Sequence, residues 1–156
     1  MKKTAGFFAA ACMAALVFAG CSGGSENSGK TVDISEVAKA MTEATVFQDE
    51  VIALDAGVVP NYYTVPEGAE VVVYMCPTGA TVEEISVFEA ADGGVDAVKE
   101  EINRHIDARI SEYEAYKPGE VQKLKGSKIV ENGNYVAVII ADDTKPAADA
   151  FAKAFE

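Results

Sequence analysis

The chain contains a single histidine, His105, and three cysteines, of which Cys76 alone lies away from the N-terminus. A Cys–His pair is a nucleophile arrangement, because the imidazole takes the thiol proton and leaves a thiolate. Here Cys76 closes the apolar run Glu70–Cys76, and His105 borders Ile102 and Ile106. Those contexts suit a small buried hydrophobe and a boundary histidine. No third residue that would orient the base is apparent. One imidazole and one thiol also fall short of a zinc shell. Asp92-Gly93-Gly94-Val95-Asp96 and Asp142-Asp143 offer oxygen ligands for calcium, but without EF-hand spacing. Both stand where helices should begin, and capping accounts for them. Glu83 and Glu84 are adjacent on a strand pattern, so they point to opposite faces and do not share an acid–base site. No Gly-rich phosphate loop, GxSxG elbow or HExxH helix occurs. The expectation is no catalytic residue, no metal and no cofactor. Tyr62-Tyr63, between Pro60 and Pro66, is the remaining feature. Aromatics on an irregular loop suit a sugar, peptide or protein surface; the competing expectation is that they pack over an edge of the core.

Charge narrows the partners. The chain carries 13 basic and 25 acidic residues, a formal net charge of −12. Nucleic-acid partners need clustered Lys and Arg and are not expected. Docking to anionic lipid headgroups by charge is not expected either. The acidic balance itself reads as solubility.

The N-terminus supplies an address. Lys2 and Lys3 precede an uncharged run from Thr4 to Gly20, which ends in Val17-Phe18-Ala19-Gly20-Cys21. The run is shorter and richer in Ala and Gly than the roughly 20 apolar residues a span needs, and a polar segment follows it. This is the order of a secretory signal peptide, residues 1–20. The small pair before Cys21 resembles a bacterial lipobox, with Phe18 where the consensus usually has Leu. That resemblance implies export, cleavage before Cys21, a diacylglycerol thioether and acyl chains (palmitate) on Cys21, and attachment to the outer face of the cell membrane. Two acyl chains anchor stably where one is marginal. Cys12 leaves with the signal and Cys21 is modified, so Cys76 has no partner for an intrachain disulfide.

Residues 21–30 are Gly/Ser-rich after the cysteine and read as a flexible tether, reaching roughly 17 Å. Residues 31–156 suffice for one domain that buries roughly two-thirds of its surface. Ile34, Val37, Ala38 and Met41 share one helical face, and Asp33 or Ser35 can cap it. Residues 46–69 are irregular, with a short element suggested by Phe47, Val51, Ile52 and Leu54. Residues 70–76 and 84–89 predict two antiparallel strands joined by a turn at Pro77–Ala80. Val95, Val98, Ile102, Ile106, Ile110 and Tyr113 predict a long helix. Residues 128–140 predict a hairpin with Asn132-Gly133 at its turn. A last helix follows Asp142-Asp143-Thr144, with Pro146 in its first turn. The order after the first helix and the irregular segment is ββα, ββα. It predicts a two-layer α+β domain: about four antiparallel strands, with the helices on one face.

The whole pattern resembles the small Gram-positive lipoprotein family of domain of unknown function 4358. The matching stretches are VDISEVAKAM at Val32–Met41, Val73-Tyr74-Met75, Gly79–Phe88, the long acidic helix, and Gly133-Asn134-Tyr135-Val136 before Asp142-Asp143. The resemblance implies export and a single domain, and transfers no activity and no functional residue. The expected function is a membrane-anchored, non-catalytic binding or accessory module with a protein or glycan partner. The competing expectation is a cell-envelope enzyme with an unrecognised carboxylate site.

Overall fold

A computed structural model describes residues 30–156. The expected signal segment, Cys21 and the tether up to Gly29 lie outside the described residues.

Helix α1 (Ile34–Ala44) starts where Asp33 Oδ1 accepts from the Ser35 backbone N–H at 2.8 Å, and it buries Ile34, Val37, Ala38 and Met41. A two-residue strand β1 (Ile52–Ala53) follows, then a 3-10 turn at Val59–Asn61. Strands β2 (Glu70–Met75) and β3 (Glu84–Glu89) lead into α2 (Val95–Tyr116). A second 3-10 turn, Pro118–Glu120, runs into the short α3 (Val121–Lys125). Strands β4 (Lys128–Asn132) and β5 (Tyr135–Ile140) form the second hairpin, and α4 (Lys145–Ala154) closes the chain. Asp143 Oδ1 accepts from the Lys145 N–H at 2.9 Å and begins that last helix.

The sheet has five strands in the order β1-β2-β3-β5-β4, and all neighbours are antiparallel. The two hairpins thus merge through β3 and β5, with Glu84 opposite Ile140 and Phe88 opposite Val136. The α+β class stands. Two details of the expected architecture are corrected. The fifth strand is β1, whose Ile52 and Ala53 pair with Met75 and Tyr74 at the edge. Two residues are too few to show a period of their own, so the sequence marked a short element around Ile52 without giving its type.

The helices also cover both faces of the sheet, not one. On β5, Val136, Val138 and Ile140 enter one core with Phe88, Val98, Ile102 and Ile106. Tyr135, Ala137 and Ile139 enter a second core with Ile85, Val87, Met41 and Phe151. Successive strand side chains alternate between faces, so a strand that is apolar at every position must be covered twice. Helices α2 and α3 contribute to the first core, α1 and α4 to the second. The result is three layers.

The β4–β5 turn is shifted by one residue from expectation. Asn132 pairs with Tyr135, so the two-residue loop is Gly133-Asn134, with Gly133 at φ 58°. A one-residue slip would move every β4 side chain to the opposite face, and the buried faces of the sheet forbid it.

Candidate functional site

Two buried polar constellations flank the start of β3, one built on Glu84 and one on Glu83. Glu84 is fully buried beneath α2. Its Oε2 accepts from His105 Nε2 at 2.9 Å, and its Oε1 accepts from Ser86 Oγ at 2.6 Å and from the Tyr63 hydroxyl. His105 Nδ1 lies 3.2 Å from the Tyr62 carbonyl oxygen. A carbonyl and a carboxylate are both acceptors, so each ring nitrogen faces an acceptor oxygen. The Tyr63 ring stacks on His105 at 4.1 Å between centroids and meets Phe88 edge-on at 5.2 Å. Burial alone pushes the Glu84 carboxyl up. The charge and hydrogen bond of His105, with those from Ser86 and Tyr63, outweigh burial and hold it below its ordinary value. The Tyr63 phenol moves the other way, well above its ordinary value, through burial and then the adjacent Glu84 charge.

Glu83 is buried just before β3. It accepts from the backbone N–H groups of Gln48 at 2.9 Å and Asp49 at 3.2 Å, from Thr81 Oγ1 at 3.2 Å and from Lys123 Nζ at 3.1 Å. Lys123 lies also 3.5 Å from Glu120 and 3.6 Å from Asp142. Burial pulls the Lys123 ammonium down. The surrounding carboxylates, Glu83 first, outweigh it and raise it above its ordinary value. This cluster ties the loop after α1 and the start of β3 to α3. The adjacent glutamates therefore serve separate networks.

Cys76 and His105 have no partner in common. The Cys76 Sγ lies 3.3 Å from Thr78 Oγ1 and 3.8 Å from Asp49 Oδ2, whereas His105 is committed to Glu84 and Tyr62. Burial pushes the Cys76 thiol up, but hydrogen bonds from Thr78 and Thr81 outweigh it and bring it below its ordinary value. The acids singled out from sequence are also spoken for. Asp92 accepts from Asn134 Nδ2 at 3.1 Å, Asp142 accepts from Gln48 Nε2 at 2.8 Å, and Asp143 caps α4. Among the described residues, no group of three or more His, Cys, Asp or Glu is placed to hold a metal ion.

The two tyrosines part ways. Tyr63 is 2 % exposed and forms the floor of the Glu84 network, so it lies in the core and not on a loop surface. Tyr62 is half-buried and lines an open depression of about 380 Å³ with Asn61, Arg104, His105, Arg109 and Glu112. Two arginines of α2 face it in different states. Arg104 is closed by Glu101, at 2.7 Å from Nε and 2.5 Å from Nη2, and Nη2 also reaches the Tyr62 carbonyl at 3.3 Å. Glu101 accepts from the Thr64 N–H as well. Arg109 is 9 % exposed and has no carboxylate partner among the described residues. Its Nη2 reaches the Tyr113 hydroxyl at a long 3.5 Å, its Cζ sits 5.1 Å from the Tyr113 ring centre, and its Nε has no hydrogen-bond partner.

Glu84, His105 and Arg109 were missed as a set by sequence reasoning, although a signal was present. Glu101, His105 and Arg109 recur every four residues beside the apolar row Val98, Ile102, Ile106. A polar row abutting an apolar one at helical spacing lies on the boundary of the buried face.

The fold and this boundary site define a three-layer α+β module whose polar chemistry clusters between α2 and the β2–β3 hairpin. Residues 67–141 match the family model described as Domain of unknown function (DUF4358), and that segment of the chain belongs to this family. The matched segment runs from before β2 to the end of β5 and includes Glu83, Glu84, His105, Arg109 and Lys123. No curated protein and no solved structure matches the chain.

Proposed function

We propose that the chain is an exported lipoprotein, anchored through Cys21 to the outer face of the cell membrane, and that its folded module binds a ligand or partner without turning it over. The order Val17-Phe18-Ala19-Gly20-Cys21 supports the anchor. Among the described residues no helix is long and apolar enough to cross a membrane. The observation that carries the binding reading is the depression beside Tyr62. Its working groups are guanidiniums, which stay charged at all physiological pH and so recognise anions rather than move protons. The imidazole in its wall has both nitrogens engaged, by Glu84 and by the Tyr62 carbonyl. The one histidine of the chain therefore acts as a brace for the Asn61–Tyr62 turn.

Metabolic labelling with radioactive palmitate tests the anchor. The wild type takes up label and partitions with membranes, and Cys21→Ala does neither. Equal labelling of the two proteins would overturn the assignment.

A further inference from the structure

Arg109 is the one described arginine that is nine-tenths buried, and its charge is left without a counter-ion among the described residues. Burying an unpaired charge is costly. The neighbouring Arg104 shows how this helix satisfies a guanidinium, with Glu101 in a two-point grip. That grip occupies Glu101, so Arg109, which lines the depression, has no carboxylate partner among the described residues. Glu112, exposed and three residues further along α2, lines the same depression and makes no ion pair among the described residues. Residues three apart are neighbours on one helical face. The depression is thus lined by a guanidinium without a counter-ion and a carboxylate without an ion pair among the described residues, three positions apart on α2. Asn61 and Tyr62 stand at its rim, and its volume is about 380 Å³. That size falls in the range of small-ligand sites, roughly 300–1,000 Å³.

We propose that this depression binds the zwitterionic head of a free amino acid, with the carboxylate held by Arg109 and the ammonium by Glu112. The planar guanidinium fork matches a carboxylate in two-point geometry. A doubly charged anion such as phosphate fits less well, because Glu112 lines the same depression in a chain of net charge −12. The ligand side chain lies toward Tyr62 and Asn61. The buried Glu84–His105 pair sets the position of the Tyr62 backbone through the His105 Nδ1 hydrogen bond. This inference deepens the binding-module reading and rests on it.

The test uses the full chain in detergent micelles, titrated calorimetrically with each of the common L-amino acids. At least one binds, and its N-acetyl and its amide derivatives each bind at least tenfold more weakly. Arg109→Met loses at least tenfold in affinity, yet its melting temperature without ligand equals or exceeds that of the wild type, because a buried unpaired charge has been removed. Glu112→Gln, a surface change that leaves the core intact, weakens the amino acid at least tenfold and leaves the N-acetyl derivative unchanged. The proposal is overturned if no amino acid binds, if inorganic phosphate binds as tightly, or if Arg109→Met melts lower and binds normally. Mass spectrometry of the same mixtures separates the two readings. An amino acid recovered unchanged supports both, and one consumed overturns the non-catalytic reading beneath the proposal. Absence of binding with palmitate labelling intact overturns the site alone.

Discussion

Glu84 and His105 bind each other at full burial, and the consequences are specific to a buried ion pair. Removing one partner strands the other charge, which costs about 3–5 kcal/mol. His105→Ala and Glu84→Ala are each expected to lower unfolding free energy by about that amount in urea titrations, whereas a double replacement by apolar residues of similar volume recovers most of it. A double variant no more stable than the singles would show that the charges do not depend on each other. The pH dependence follows from Glu84. Its carboxyl lies below its ordinary value in the fold, so the unfolded chain takes up protons first as the pH drops. The stability it contributes is complete above about pH 4.3 and is lost as the pH falls through the lower folded value. Glu84→Gln should flatten that acid limb of the stability curve, and an unchanged slope would exclude Glu84 as its source. Lys123 behaves in the opposite sense. Its raised ammonium contributes stability that is fully present below its ordinary value of 10.5 and declines as pH rises past it.

At the scale of elements, the period of the hydrophobic pattern predicted what the backbone does. The six-position stripe from Val95 to Tyr113 became α2, and the run Glu70–Met75 became β2. Of the elements too short for a period, β1 was legible only as a short element of unstated type and α3 not at all, because two and five residues do not sample a repeat. The β4–β5 turn shows a tertiary constraint overriding a local one. Asn132-Gly133 is a strong turn pair by itself, but the register places Gly133 first in the loop. Gly133 has φ 58°, which a β-branched residue adopts only at about 1–2 kcal/mol. Gly133→Val is therefore expected to lower the urea midpoint by a corresponding amount, while Asn132→Thr, in the strand, is tolerated. Similar losses from both would indicate that Asn132 is a turn residue. On the far face, Phe151 of α4 is 2 % exposed against the α1 side of the sheet. Phe151→Ala should cost about 3–5 kcal/mol.

For the whole molecule, the two cores make α1 and α4 as necessary as α2. If helices covered one face only, the Phe151 change would fall on an exposed surface and be nearly neutral; its measured cost therefore tests the three-layer arrangement. Cys76 is the free, buried cysteine of the described fold, so packing and the buried ion pairs hold it together without a disulfide. The melting temperature is expected to be the same with and without reductant. A fall under reducing conditions would reveal a disulfide and contradict the lipidated state proposed for Cys21.

The sequence by itself determined the class, the main strands and the principal helices, because spacing of apolar residues is a local property. It also carried the family resemblance, now matched over residues 67–141. It marked Tyr62 and Tyr63 as a pair and could not separate them. Only the tertiary structure sent Tyr63 under Glu84 and left Tyr62 at the rim of the depression. Only the tertiary structure, likewise, closed Arg104 with Glu101 and left Arg109 without a carboxylate partner among the described residues. The reason is physical: these outcomes depend on which residues distant in the chain meet, and Tyr63 to Glu84 or Tyr62 to His105 is a meeting set by sheet register and helix docking. No window of sequence contains both partners.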